Sequence, residues 1–267
     1  MGIRWRRHRG EADAATQPST GSIHGEAPTA PKDEMAAIVA VAAPILKEAG
    51  FRKRRHTFNR SSGDDRMVHV LNFQMGAYDP SGTAEIPGLR PNLYGRFTIN
   101  LAVFVPAMHR MNLSSREWFS DYHCQLRKRI GELLPERADV WWRLDHRGAE
   151  ADAVAAVRDT GLPWLDQFGS YDSLLQVWER GGGTAVGLNF PAAALDIADV
   201  HLSRGERDKA ETLLADYVSQ VHQTRQPGHL DILRKYLSER DFEDLAAQVP
   251  SAESWLDRRR SSQGDLE

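Results

Sequence analysis

Residues 97–105 read Phe-Thr-Ile-Asn-Leu-Ala-Val-Phe-Val, so Phe97, Ile99, Leu101, Val103 and Val105 all fall on one side of an extended chain. A strict period of two over this length predicts a central β-strand with a buried face. Two further extended runs precede it, residues 51–60 and 68–74, separated by a polar turn at residues 61–65. In the first run neither alternate set is apolar: Lys53, Arg55, Thr57 and Asn59 oppose Arg52, Arg54, His56, Phe58 and Arg60. That pattern suits an edge strand, where charge also discourages edge-to-edge aggregation. Residues 77–91, with Pro80, Gly82, Pro87, Gly88 and Pro91, form a connection long enough to suggest a functional role.

Ser114 and Glu117 make a capping-box pattern that predicts a short helix carrying Trp118 and Phe119. Tyr122, Cys124, Leu126 and Ile130 then alternate with His123, Gln125, Arg127 and Arg129, which reads as a fourth strand with a helix as the alternative. Val140, Trp142 and Leu144 give a fifth. Ahead of the sheet, Met35, Ile38, Val39, Ala42, Ile45, Leu46 and Ala49 line one face of a helix beginning near Asp33. Asp33 is its expected cap, Gly50 its left-handed terminator with Phe51 packing back, and Pro44 the site of an expected bend. The fold class is α+β: an antiparallel sheet of four to five strands with a packed N-terminal helix, followed by an α-helical C-terminal region.

The runs at 50–60, 68–74, 97–105 and 124–131, with Trp141-Trp142, resemble a bacterial family of uncharacterised domains, domain-of-unknown-function family 4304, over roughly residues 36–180. The resemblance implies no catalytic residues, because none are established for that family.

Composition narrows the setting. The 267 residues are 41% apolar, enough for a substantial core, and carry a formal net charge of −3 that draws neither nucleic acid nor an anionic membrane globally. One cysteine, Cys124, excludes an intrachain disulfide and cannot alone build a thiolate metal site, and a reduced, cytoplasmic setting is the simplest expectation. The basic start Arg4, Arg6, Arg7, Arg9 is followed by Gln, Ser, Thr, Gly and Pro rather than a secretory apolar stretch. No run approaches the ~18 apolar residues needed to span a bilayer.

The expected organisation is a disordered tail at 1–32, an α+β domain at 33–183, a helical region at 184–250 and a flexible tail at 251–267. Pro163 is expected to start a turn presenting Trp164, Leu165 and Phe168, and residues 170–180 a helix ending at Gly181-Gly182-Gly183, which reads as a linker. Beyond it, Leu195, Ala198, Leu202, Ala210, Leu213, Leu214 and Tyr217 describe two antiparallel helices joined at Gly205, loosely like one tetratricopeptide hairpin with no second clear copy. Residues 229–236 and 242–249 predict two more helices.

No Walker, HExxH, GxSxG or paired CxxC motif is present. His123 and Cys124, as neighbours on a strand, are expected to face opposite ways and share no proton. The sharper constellation is polar: Asn72 and Gln74 on one strand, Thr98 and Asn100 on the next, Arg127 and Arg129 beyond. Amides and guanidinium groups held on rigid strands suit a carboxylate or phosphate. Asn72, Gln74, Asn100, Arg127 and Arg129 are therefore the candidate ligand-binding residues, with one of Trp141 and Trp142 flooring the pocket and the other filling the core.

Three functions follow, with no catalytic residue, metal or cofactor assigned to any. The first is a non-catalytic protein-binding or adaptor module using the helical region. The second is an enzyme or sensor for a small anionic ligand on the polar face. The third and least favoured is single-stranded nucleic-acid binding through Arg52, Lys53, Arg54 and Arg55, with Phe51 and Phe58 as stacking rings. A closed concave pocket over the polar face favours the ligand; a flat or covered face favours the adaptor.

Overall fold

The computed structural model describes residues 30–63, 65–76, 86, 92–108, 116–188, 190, 192–221 and 227–251. The tail at 1–29, Ser114, most of the 77–91 connection and residues 252–267 lie outside the described residues.

An α+β architecture is present. Helix α1 (Pro31–Glu48) starts on a proline two residues before Asp33, and Asp33 makes no side-chain cap; its backbone N–H instead donates to the Ala30 carbonyl. Proline suits this first turn because its missing N–H would be unsatisfied there anyway. The helix runs on through Pro44 without ending. It stops as the sequence predicts: Gly50 adopts φ +86°, and the amides of Gly50 and Phe51 return to the carbonyls of Lys47 and Leu46.

The sheet is an antiparallel meander, β1 (Arg52–Arg54), β2 (Thr57–Ser62), β3 (Met67–Met75), β4 (Arg96–Phe104) and β5 (Leu126–Arg129), with β6 (Trp142–Arg143) pairing the other end of β4. The single strand expected at 51–60 is two, because Arg55 at φ +57° turns the chain and folds β1 back on β2. The fourth strand is shorter than expected: Asp121–His123 forms a 3₁₀ turn before it. Trp118 and Phe119 precede that turn in irregular chain rather than in a helix.

On one face of the sheet Phe58, Leu71, Phe73, Ile99, Leu101, Val103 and Leu126 meet α1 and the later helices. His69 is buried on this face, bonded by Arg60 and to the Phe168 carbonyl. The second face carries a smaller apolar cluster, Val70, Ala102, Phe104, Phe119 and Cys124, so β4 is buried on both sides.

After β6, α2 (Ala149–Ala156) passes through a π-helical turn at Val157–Gly161 into α3 (Leu162–Leu165). Trp164, Leu165 and Phe168 are therefore core residues rather than a presented turn. Helix α4 (Tyr171–Val186) is broken at Gly182, whose φ +61° and ψ −158° are non-helical, so the three glycines join two helical stretches, the second of which stops at Gly187, φ +82°.

Helices α5 (Ala193–Ser203) and α6 (Arg207–Gln220) form the expected hairpin, turning at Gly205, followed by α7 (Pro227–Ser238) and α8 (Glu243–Gln248). Helix α5 is buried nearly all round. Ala193, Ile197 and Val200 belong to the sheet core, while Leu195 and Ala198 belong to the core formed with α6, α7 and α8. A helix so placed is hydrophobic on every side. Three polar residues are buried on it as well, Asp196, Asp199 and His201, and Asp199 is held by Arg240 through both carboxylate oxygens and by the Tyr236 hydroxyl.

Candidate functional site

Antiparallel pairing puts directly opposed residues on the same side of a sheet. Asn72 opposes Asn100, Asn100 opposes Arg129, Gln74 opposes Thr98 and Ala102 opposes Arg127. All five candidate residues thus leave the sheet on the side away from the main core.

Gln74, Asn100, Arg127 and Arg129 line one open cleft of about 690 Å³. Its other walls come from the 3₁₀ turn (Asp121, His123, Cys124), the chain after β5 (Glu132, Asp139) and the entry to the helical region (Gly187, Phe190, Asp196). This size falls within the range of small-molecule sites. Asn72 shares the face but does not line the cleft; its oxygen accepts from the Thr57 hydroxyl and its amide reaches Asp121 at 3.4 Å.

The polar groups differ in how committed they are. Asn100 donates to the Gln74 oxygen at 2.7 Å, fixing both amides. Arg129 is held by both oxygens of Asp139 and stacks over Trp141 at 5.1 Å. Trp142, on the other side, stacks on the core residue Phe97. Lys128 points to the core face and pairs with Glu132 at 3.0 Å. Arg127 is the least committed: its head is 54% exposed and its contact with Asp121 spans 3.6 Å.

The closing wall is joined to the sheet by backbone. The Arg127 N–H donates to the Gly187 carbonyl at 3.0 Å, and a Cβ on Gly187 would lie 2.7 Å from the Arg127 oxygen. Only a glycine permits this approach together with its positive φ. The contact carries Phe190 and Asp196, which is 1% exposed, onto the cleft.

His123 and Cys124 both line the cleft, contrary to the expectation for strand neighbours, because they sit at the 3₁₀ turn and not on β5. Each is nevertheless tied to Ser120: the Ser120 N–H donates to His123 Nδ1 and the thiol donates to the Ser120 carbonyl. The first bond leaves the neutral ring's proton on Nε2. Burial, helped by Arg116, lowers the His123 pKa, and burial pushes the Cys124 thiol far above its ordinary range. A protonated thiol is a poor nucleophile. No group of three or more potential metal ligands occurs among the described residues.

Asp121, Gly187, Phe190 and Asp196 escaped the sequence reading. Asp196 had one legible signal, an acid in a helix whose neighbours are apolar on every side. The others carry none, since only folding brings them to the sheet.

Residues 42–167 match the family model described as domain of unknown function (DUF4304). No curated protein and no solved structure matches the chain significantly.

Proposed function

Taking residues 42–167 as a DUF4304 domain, we propose that the chain binds a small polar ligand bearing an anionic group in the cleft on the second face of the sheet. The observation that carries this is convergence: Gln74, Asn100, Arg127 and Arg129, from three adjacent strands, line one concavity. Arg127 is the group that receives the anion, because its guanidinium is exposed and only loosely paired. The fixed Asn100–Gln74 amide pair supplies orientation, and Phe190 an aromatic wall. Asp121, Glu132, Asp139 and Asp196 also face the cleft, which selects against multiply charged anions and for a ligand carrying hydroxyl or amino donors as well.

The test is a thermal-shift screen of the full chain against nucleotides, sugar phosphates and carboxylates, followed by calorimetry. A compound that raises Tm for the wild type and not for Arg127→Ala supports the assignment. No shift by any class, or an equal shift in the variant, overturns it.

A second reading, the protein-binding adaptor, draws support from a groove of about 610 Å³ between α4 and the α5–α6 hairpin, lined by Trp178, Leu188, Phe190, Leu213 and Tyr217. One core cluster spans residues on both sides of 183, so this reading is tested on the intact chain and not on separated halves. Peptide-array binding lost in a folded Leu213→Arg variant favours it; unchanged binding counts against it.

A further inference from the structure

At the sheet edge remote from the cleft, β1 and its turn expose four consecutive cations, Arg52, Lys53, Arg54 and Arg55. None makes an ion pair among the described residues, although the chain has 37 acidic side chains to 34 lysines and arginines. Protein surfaces ordinarily intersperse the two signs, so an unpaired single-sign block marks a field that acts on something else. The positive charge is felt locally: His56, in the turn, has its pKa lowered by partial burial and by Lys53 and Lys32.

Arg52 and Arg54 oppose Asn59 and Thr57, which puts them on one face about 7 Å apart, with Lys53 on the other. Arg55, at positive φ, projects from the turn. The aromatic residues that single-strand binding would use are unavailable, because Phe51 and Phe58 are only 4% and 1% exposed. That corrects the stacking platform read from the sequence. What remains is a set of guanidinium and ammonium groups without bases to stack on, which recognises phosphate spacing and charge density rather than sequence.

We propose that the β1–β2 hairpin is a sequence-independent docking site for the phosphate backbone of duplex nucleic acid. Duplex is favoured over single strand because its charge density is higher and the patch offers no exposed ring. A lipid surface is disfavoured because the hairpin presents no exposed aromatic or aliphatic side chain to insert.

The test is fluorescence anisotropy of the full chain with a labelled 20-base-pair DNA of mixed sequence, its single strand, and vesicles containing anionic lipid. With about four phosphates neutralised, the log–log salt slope is about −3.6, so affinity falls roughly 100-fold between 50 and 200 mM NaCl. The variant Arg52→Gln/Lys53→Gln/Arg54→Gln/Arg55→Gln replaces only exposed groups and should keep the wild-type Tm while losing that binding. Arg158→Gln, elsewhere on the surface, should bind as wild type. Equal binding by the fourfold variant, no duplex binding at 50 mM NaCl, tighter binding to the single strand, or binding to vesicles alone each overturns the proposal.

Discussion

Asn100 on β4 and Arg129 on β5 are directly paired across the sheet, and their side chains share a face. Arg129 is then turned toward Asp139 and Trp141, so it shapes the cleft wall while Arg127, two residues earlier, stays available. Arg129→Ala should cost only about 1 kcal/mol, since both its ion pair and its ring contact are solvent-screened. Urea unfolding checks this; a loss above about 3 kcal/mol would make Arg129 part of the fold instead.

His69 predicts an acid-sensitive fold. Burial, with the Arg60 guanidinium adding to it, lowers its pKa from 6.5 to about 4. Between those values the unfolded chain binds the proton and the folded chain does not. The stabilisation is therefore complete above pH 6.5 and is lost as pH falls toward 4, by an amount on the order of 3 kcal/mol. Urea midpoints measured from pH 7.5 to 4 should decline over this window, and His69→Gln should flatten the decline.

Gly187→Ala should destabilise by at least about 2 kcal/mol, combining a left-handed backbone for an alanine with a Cβ pressed on Arg127. It should also weaken any ligand bound in the cleft, because the Gly187 contact with Arg127 positions Phe190 and Asp196. Equilibrium unfolding and calorimetry read the two effects separately.

The Cys124 thiol should be inert in the folded protein. Burial raises its pKa and the Ser120 carbonyl accepts its proton. Disulfide-exchange reagents at pH 8 should label it slowly in buffer and rapidly in denaturant; comparable rates would contradict the buried placement.

Arg240→Ala should cost about 3 kcal/mol by leaving Asp199 buried with its principal counter-charge removed. Thermal unfolding followed by circular dichroism measures it. The loss should be smaller in an Asp199→Asn/Arg240→Ala double variant, where no charge is stranded.

The strand β4 was legible because one side of it alternates without exception, and the C-terminal end of α1 because Gly50 and Phe51 are the residues that terminator requires. The β1–β2 turn was not, since a left-handed arginine leaves no compositional mark. Trp118 and Phe119 were expected on a helix and lie instead in irregular chain before the 3₁₀ turn, while Ser114, the expected cap, lies outside the described residues. The end of the helix expected at Gly181, Gly182 and Gly183 is met by the break at Gly182, but helical chain resumes directly after it instead of an extended linker.

Side-chain parity along a strand is a local property, so the residues alone determined that Asn72, Gln74, Asn100, Arg127 and Arg129 belong to one polar face once their strands are neighbours. Whether that face is flat, covered or hollow depends both on the chain flanking β5 and on chain about sixty residues further on. Only the tertiary structure, through the Gly187 contact with Arg127 and the burial of α5 between two cores, brings Phe190 and Asp196 across it. Close backbone approach and shared burial are decided by how whole elements fit together, and no periodicity within one element records them.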